Sequence, residues 1–525
     1  MNRVENKNLM SMAEKKENVV LEKVEEPLIP LWDNFNYFDH QVEGIRWMLE
    51  KETVGTEVPR RKGAGTVMVY GGFQCDEMGL GKTIQVIGMM INHPLPMTLL
   101  LAPLAMVETW TSVCRRAGMS IYHATGGQWF PIEENGSMTV YITNFEKLYT
   151  TPRLFRGMSF DRVVLDEAHK IRNADGQMAI YARRLVAPIR WAVTGTPLVN
   201  NWKDVVSLLA FVGVPCSPLW RWESHLEEVL PSLVIHRSLE SLRSILTDAP
   251  PYPIIHHMSL PFATEKEHEF YLAIQGATIA MAGAARYDMD RLTPQQAFLM
   301  LLRLRQISVH PQVYISAKRR EMKGYIRKDW VGPSTKLLAI KDILMKDQPY
   351  THNDHKYIIF CQFREEMELI HEYLESLELF DPEHILEYDG SLTQDQRNHV
   401  LKKSKEIVGP CVLLLQLQAG GVGLNLQEYD RIIFNSPWWT SALMDQAIAR
   451  AVRMGQKRIV QIYHLHLEAE DDEEDAIFID QLVNGKAEEK RQMLLDFFEM
   501  CDGTLQEEEE ELVEEEEEQE PGQGK

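Results

Sequence analysis

Asp76-Glu77-Met78-Gly79-Leu80-Gly81-Lys82-Thr83 reads as a loop that holds phosphates, and the rest of the chain is organised around it. Two glycines flank one residue, so the backbone is free to curl and turn its N–H groups inward. Lys82 supplies a compact positive charge for the outer phosphates, and Thr83 offers a hydroxyl to the magnesium that travels with them. An apolar stretch from Ile84 to Ile91 follows, which predicts a helix whose N-terminus faces the anion. The general phosphate-loop pattern asks for a glycine five residues before Gly81, and Asp76 stands there instead. The assignment therefore rests on what else the chain carries.

Strands and helices are expected to alternate after this loop. Short apolar runs at 98–103, 139–143, 162–165 and 191–193 each end in polar residues. Continuous runs of this kind suit parallel strands covered on both faces, with ligands bound at their carboxyl ends. One of them leads into Asp166-Glu167-Ala168-His169, another into Thr194-Gly195-Thr196-Pro197. Asp166 is suited to hold magnesium through water. Glu167 is suited to align and deprotonate an attacking water, on a strand expected to neighbour the phosphate loop. Upstream, Gln41 opens a helical pattern, and its amide has the geometry to pair with N6 and N7 of adenine.

A Pro-rich segment at 250–253 marks a boundary, and residues 262 to about 330 read as mostly helical with basic clusters. A second alternating block follows, with strands expected at 357–360, 412–415, 431–434 and 459–463, then an amphipathic helix over about 476–498. Its glycine-rich loop, Gln418 to Asn425, offers N–H groups to ATP or to a nucleic-acid phosphate, with Gly423 assigned to ATP and Gly420 to nucleic acid. Trp438 and Trp439 read first as core, with Trp439 the candidate base or backbone contact. Gln446, Arg450 and Arg453 share one face if the segment is a single helix. Arginines there would reach a γ-phosphate held by the first block, so that hydrolysis requires the blocks to close.

The chain has 525 residues, which suggests about three domains. It carries a net charge of −22, which taken alone opposes nucleic-acid binding. Ten of those charges fall in residues 506–525, where eleven glutamates face one lysine. That run reads as a solvating acidic tail, or as a surface for a basic protein partner. Six cysteines lack any C-x-x-C pairing, which fits a reducing intracellular compartment and argues against a zinc module. No apolar run approaches a membrane span, and the N-terminal residues lack a signal core.

Together these motifs resemble the Swi/Snf-type DNA-dependent ATPases of helicase superfamily two. The motifs that carry the resemblance are 76–83, 166–169, 194–197, Leu304-Arg305-Gln306 with His310-Pro311, Ser334-Thr335-Lys336-Leu337, Ala419 to Leu426, and Arg450 to Gln456. They span residues 38 to 500 in the family's order. The resemblance implies an α/β fold of two RecA-like lobes with helical insertions. The expected division is 1–31 flexible, 32–245 first lobe, 246–333 linker and insertion, 334–500 second lobe with a closing helix, and 501–525 acidic tail. It also implies ATP hydrolysis with magnesium, stimulated by double-stranded DNA on naked or protein-bound duplex, in the nucleus or another DNA-containing compartment. By that likeness Lys82, Asp166 and Glu167 carry hydrolysis, Arg450 and Arg453 are arginine fingers, and Pro103, Thr143 and the Gly420 loop lie near the DNA backbone. The alternatives are a strand-separating helicase and a non-catalytic DNA- or histone-binding scaffold. Gln74-Cys75, Asn144-Phe145, Ala449 and Val452 depart from the family's usual residues.

Overall fold

The computed structural model describes residues 27–60, 65–136, 138–215, 223–246, 249–287, 294–347, 354–420, 424–468 and 478–502. The acidic tail, Gly421–Gly423 and the acidic stretch from 469 lie outside the described residues.

Two mostly parallel sheets form two lobes. In the first, the strands run in the order Thr56–Pro59, Thr66–Gln74, Ile189–Val193, Arg162–Asp166, Met97–Ala102, Thr139–Asn144, Ser120–Thr125, Gln128–Glu133, and Val234–Ile235 also pairs with Thr66–Gln74. The strand leading to Asp166 is not the neighbour of the strand leading to the phosphate loop. Ile189–Val193 lies between them, parallel to both. Its exit, Thr194 to Thr196, is thereby set between the loop and Asp166. Arg162–Asp166 is buried along its whole length and the strands on either side of it nearly so, because helices cover both faces in two apolar layers.

The second sheet runs Ile254–Leu260, Gln461–Leu467, Arg431–Phe434, Lys356–Cys361, Cys411–Gln416, Ile385–Tyr388, all parallel. Ile254–Leu260 comes from the stretch read as linker. It forms an edge, half exposed, so its pattern carries no continuous apolar run. The three helices Glu265–Tyr287, Pro294–Val309 and Pro311–Glu321 build the insertion. The Ser334-Thr335-Lys336-Leu337 motif fastens it to this lobe. Thr335 Oγ1 donates to Glu267 at 2.7 Å, and Lys336 Nζ donates to Asp480 Oδ2 at 2.6 Å, both inside the protein.

Asp480 opens the last helix, Ile479–Asp502, which crosses from one lobe to the other. Arg491 Nη2 bonds Asp445 Oδ1 at 2.9 Å on the second lobe. Six to ten residues on, Phe497, Phe498 and Cys501 are buried in the core of the first, with Phe498 stacked on His236 at 3.5 Å. A second seam joins the lobes at Leu80, where Leu242 and Leu246 pack together with Met454.

Candidate nucleotide-hydrolysis site between the lobes

Gly79 and Gly81 adopt φ of 91° and 83°, the left-handed region that a side chain disfavours. Gly81 caps the helix Lys82–Asn92, which places Lys82 and Thr83 in its first turn. Lys82 Nζ donates to the backbone carbonyls of Asp76 at 2.7 Å and Glu77 at 3.3 Å. Gly195 permits this: a Cβ there would stand 3.3 Å from Lys82 Nζ. Gln41 is buried, with Oε1 accepting from Phe38 N at 3.2 Å and Nε2 donating to Leu80 O at 3.4 Å. Its amide thus braces the loop and its own helix Asp39–Thr53, and an adenine must displace those bonds.

The phosphate-loop assignment of 76–83 makes Asp76 a candidate nucleotide contact. Its carboxylate is instead wholly enclosed in a polar network. Arg237 grips it with Nε at 3.0 Å and Nη2 at 2.6 Å, while Gln74 and Gln85 donate to Oδ2 at 2.7 and 2.8 Å. The network accounts for Gln74, which departs from the family's apolar residue, and for Gly44, where a Cβ would fall 1.9 Å from Gln85 Oε1. Buried charge is tolerated when paired and hydrogen-bonded. Arg237→Ala therefore leaves a buried carboxylate without its cation and should destabilise the protein by about 3 kcal/mol. Differential scanning calorimetry reads this as a lowered Tm; an unchanged Tm shows the network to be dispensable.

Two strands along the same sheet, Asp166 is buried and accepts a hydrogen bond from Trp110 Nε1 at 2.7 Å. Burial, reinforced by the charge of Glu167, raises its carboxyl to about 7. Glu167 behaves oppositely. Burial opposes its charge, but the adjacent His169 imidazole, the Lys82 ammonium and the Arg450 guanidinium outweigh it and hold the carboxyl down at about 2. Glu167 has φ 54°, strained for a non-glycine residue, and its buried Oε2 has no hydrogen-bond partner. His169 Nδ1 lies 3.4 Å from that oxygen and 3.3 Å from Thr194 Oγ1. A partnerless acceptor beside a lysine-bearing loop fits a bound water and a hydrated divalent cation.

The second lobe completes the site. Arg450 is close enough to Asp166 and Glu167 to shape their charge, and burial lowers its own pKa. The Arg453 Cβ would lie 3.7 Å from a Cβ on Gly79. These arginines do not share a helix face with Gln446. The helix Ser441–Ile448 ends before them. Arg450 N bonds the carbonyl of Ala447 at 3.2 Å rather than that of Gln446, so the chain tightens into turns, and the Arg450 carbonyl accepts from Leu426 N at 3.1 Å. Gln456 Nε2 then bonds the carbonyls of Gln427 and Ala451 at 2.8 and 3.3 Å and fixes the turn. Gln446 stays buried in its helix.

Of the nucleic-acid candidates, Pro103 begins the turn Leu104–Met106 at a strand exit. Thr143 is buried within its strand and presents nothing to solvent. Gly420 ends the short helix Leu417–Gly420, and Gly423 lies outside the described residues. Trp439 packs against the insertion's apolar cluster with Arg305 over its ring at 5.7 Å, which is a core role. The basic cluster at 318–320 is largely matched by acids, through Glu321, Asp329 and Glu365. A groove of about 840 Å³ separates the lobes, with Leu104, Glu108, Ser112 and His123 on one wall and Tyr388 and Lys405 on the other. Trp110 and Arg237 escaped the sequence reading. They stand 56 and 161 residues from the carboxylates they hold, and no local pattern announces such a bond.

Two family descriptions match. The SNF2-related domain covers residues 40–313, and the helicase conserved C-terminal domain covers 335–455. A probable global transactivator of Orgyia pseudotsugata multicapsid polyhedrosis virus is 28% identical, over 84% of this chain and 88% of its own length. The Danio rerio chromodomain-helicase-DNA-binding protein 1-like is 25% identical over 81% of this chain, which spans 41% of that relative. The Arabidopsis thaliana DNA repair protein RAD5B is 22% identical over 86%, the chain spanning 47% of it. The solved Sulfolobus solfataricus SWI2/SNF2 ATPase core in complex with double-stranded DNA is 20% identical, covering 89% of this chain and 97% of its own, with a TM-score of 0.38.

Proposed function

The chain belongs to the SNF2-related family of helicase-like ATPases, and on that basis we propose that it is a motor that hydrolyses ATP to move along double-stranded DNA. The observation that carries this reading is the convergence of Arg450 and Arg453 of one lobe on Glu167 and the phosphate loop of the other. A site assembled from both lobes ties each turnover to their relative movement. Lys82 binds the outer phosphates. Thr83 and Asp166 would hold magnesium. The cation, when bound, offsets the phosphates' negative charge. Glu167 orients the attacking water and accepts its proton, and the two arginines neutralise charge that builds in the transition state. The duplex lies along the interlobe groove, near Pro103 and Gly420.

The DNA-acting names of two relatives favour duplex DNA, bare or protein-bound, as the track. Phosphohydrolysis rates with no nucleic acid, single strands, duplex DNA, RNA and nucleosomes test this. Duplex should raise the rate at least tenfold over single strands, by order of magnitude for a track that completes the site. Displacement of a third strand from a triplex without opening of a forked duplex is the expected sign of translocation. Robust fork opening favours the strand-separating reading, and no hydrolysis under any condition leaves only a binding scaffold.

A further inference from the structure

We propose that Trp110 is a positioning residue that couples the interlobe groove to the magnesium-holding carboxylate. The inference rests on the motor reading above and deepens it. Trp110 belongs to the helix Val107–Arg116, which begins just after Pro103. Trp110, Thr111 and Cys114 face inward, while Glu108, Thr109 and Ser112 are exposed on the groove wall. One face of the helix thus meets whatever fills the groove. From the other, Trp110 Nε1 donates to Asp166 Oδ2 at 2.7 Å, with the whole indole buried. An indole N–H is a donor only, so it fixes one carboxylate oxygen as an acceptor and restricts rotation of the carboxylate. Next to it, the Thr111 hydroxyl lies 2.7 Å from Nε2 of His123, which lines the same groove, so the helix is tied to that wall.

Movement of this helix on filling the groove therefore moves the group that orients Asp166. Partners that orient a metal-holding side chain typically carry 10–100-fold in metal affinity or activity. Trp110→Phe keeps most of the ring and deletes the donor. The test is binding of a fluorescent ATP analogue, titrated with and without magnesium, beside duplex stimulation of hydrolysis. The expected result is about a tenfold rise in the magnesium concentration for half-maximal binding. Metal-free nucleotide affinity should be unchanged, and the stimulation by duplex reduced. An unchanged magnesium dependence overturns the proposal and leaves the motor reading standing. An equal loss with and without magnesium makes Trp110 a packing residue only and also overturns it. If the parent protein shows no magnesium-dependent nucleotide binding, the motor reading itself fails. Should Trp110→Phe not fold, benzothienylalanine at position 110 replaces N–H by sulfur in the same shape and gives the same comparison.

Discussion

Arg450→Ala is expected to lower ATP turnover by about 10³–10⁵-fold while the protein still binds ATP. The guanidinium enters the site from the second lobe and lies where it helps hold Glu167 ionised. Its stabilising effect grows as charge develops on the transferring phosphoryl group, so the loss should fall on kcat and little on KM. Arg450→Lys should rescue poorly, because a single ammonium cannot reproduce the planar fork. The fold should survive either change, since the turn is fixed by the backbone carbonyl of residue 450 and by Gln456, not by the side chain. Steady-state kinetics with saturating duplex, alongside thermal melting, make the measurement. A kcat within tenfold of the parent would mean that the arginine is a structural neighbour and that hydrolysis needs no closure.

The strands were legible where apolar runs were continuous, as at 162–165 and 412–415, because burial on both faces removes any need for alternation. Edges were not. Ser120–Thr125 and Gln128–Glu133 form a hairpin at one margin, with mixed polarity that imitates a loop. The phosphate loop was readable from its glycines because positive φ leaves a mark in composition. The roles within it were less so. Asp76 carries the same letter whether it faces a nucleotide or pairs with Arg237. The i, i+4, i+7 spacing of 446, 450 and 453 promised one helix face, but the helix ends at Ile448 and the arginines sit in the turns beyond it, tied to Leu426 from far along the chain. Likewise the last helix displayed its apolar stripe in sequence, but not that Phe497 and Phe498 would cross to the other lobe. What escaped in each case was a contact between residues far apart in the chain.

Glu167→Gln should abolish multiple turnover, with a loss of about 10²–10⁴-fold, and retain ATP binding. Glutamine matches the shape of glutamate but accepts no proton from water. The left-handed backbone at φ 54° costs the same for either residue, so stability is expected to change little. Glu167→Gly is the informative contrast, since it relieves that strain: it should raise the melting temperature slightly and still fail to hydrolyse ATP. Removing a negative charge beside the phosphates should leave nucleotide affinity equal or tighter. The variant should therefore hold duplex DNA and ATP together without turning over. Fluorescent-nucleotide binding and phosphate release separate the two properties. Turnover near the parent's would mean that the water is activated elsewhere, with His169 the next group in reach, 3.4 Å from the same oxygen. Loss of binding and turnover together would instead place the carboxylate in the architecture of the loop.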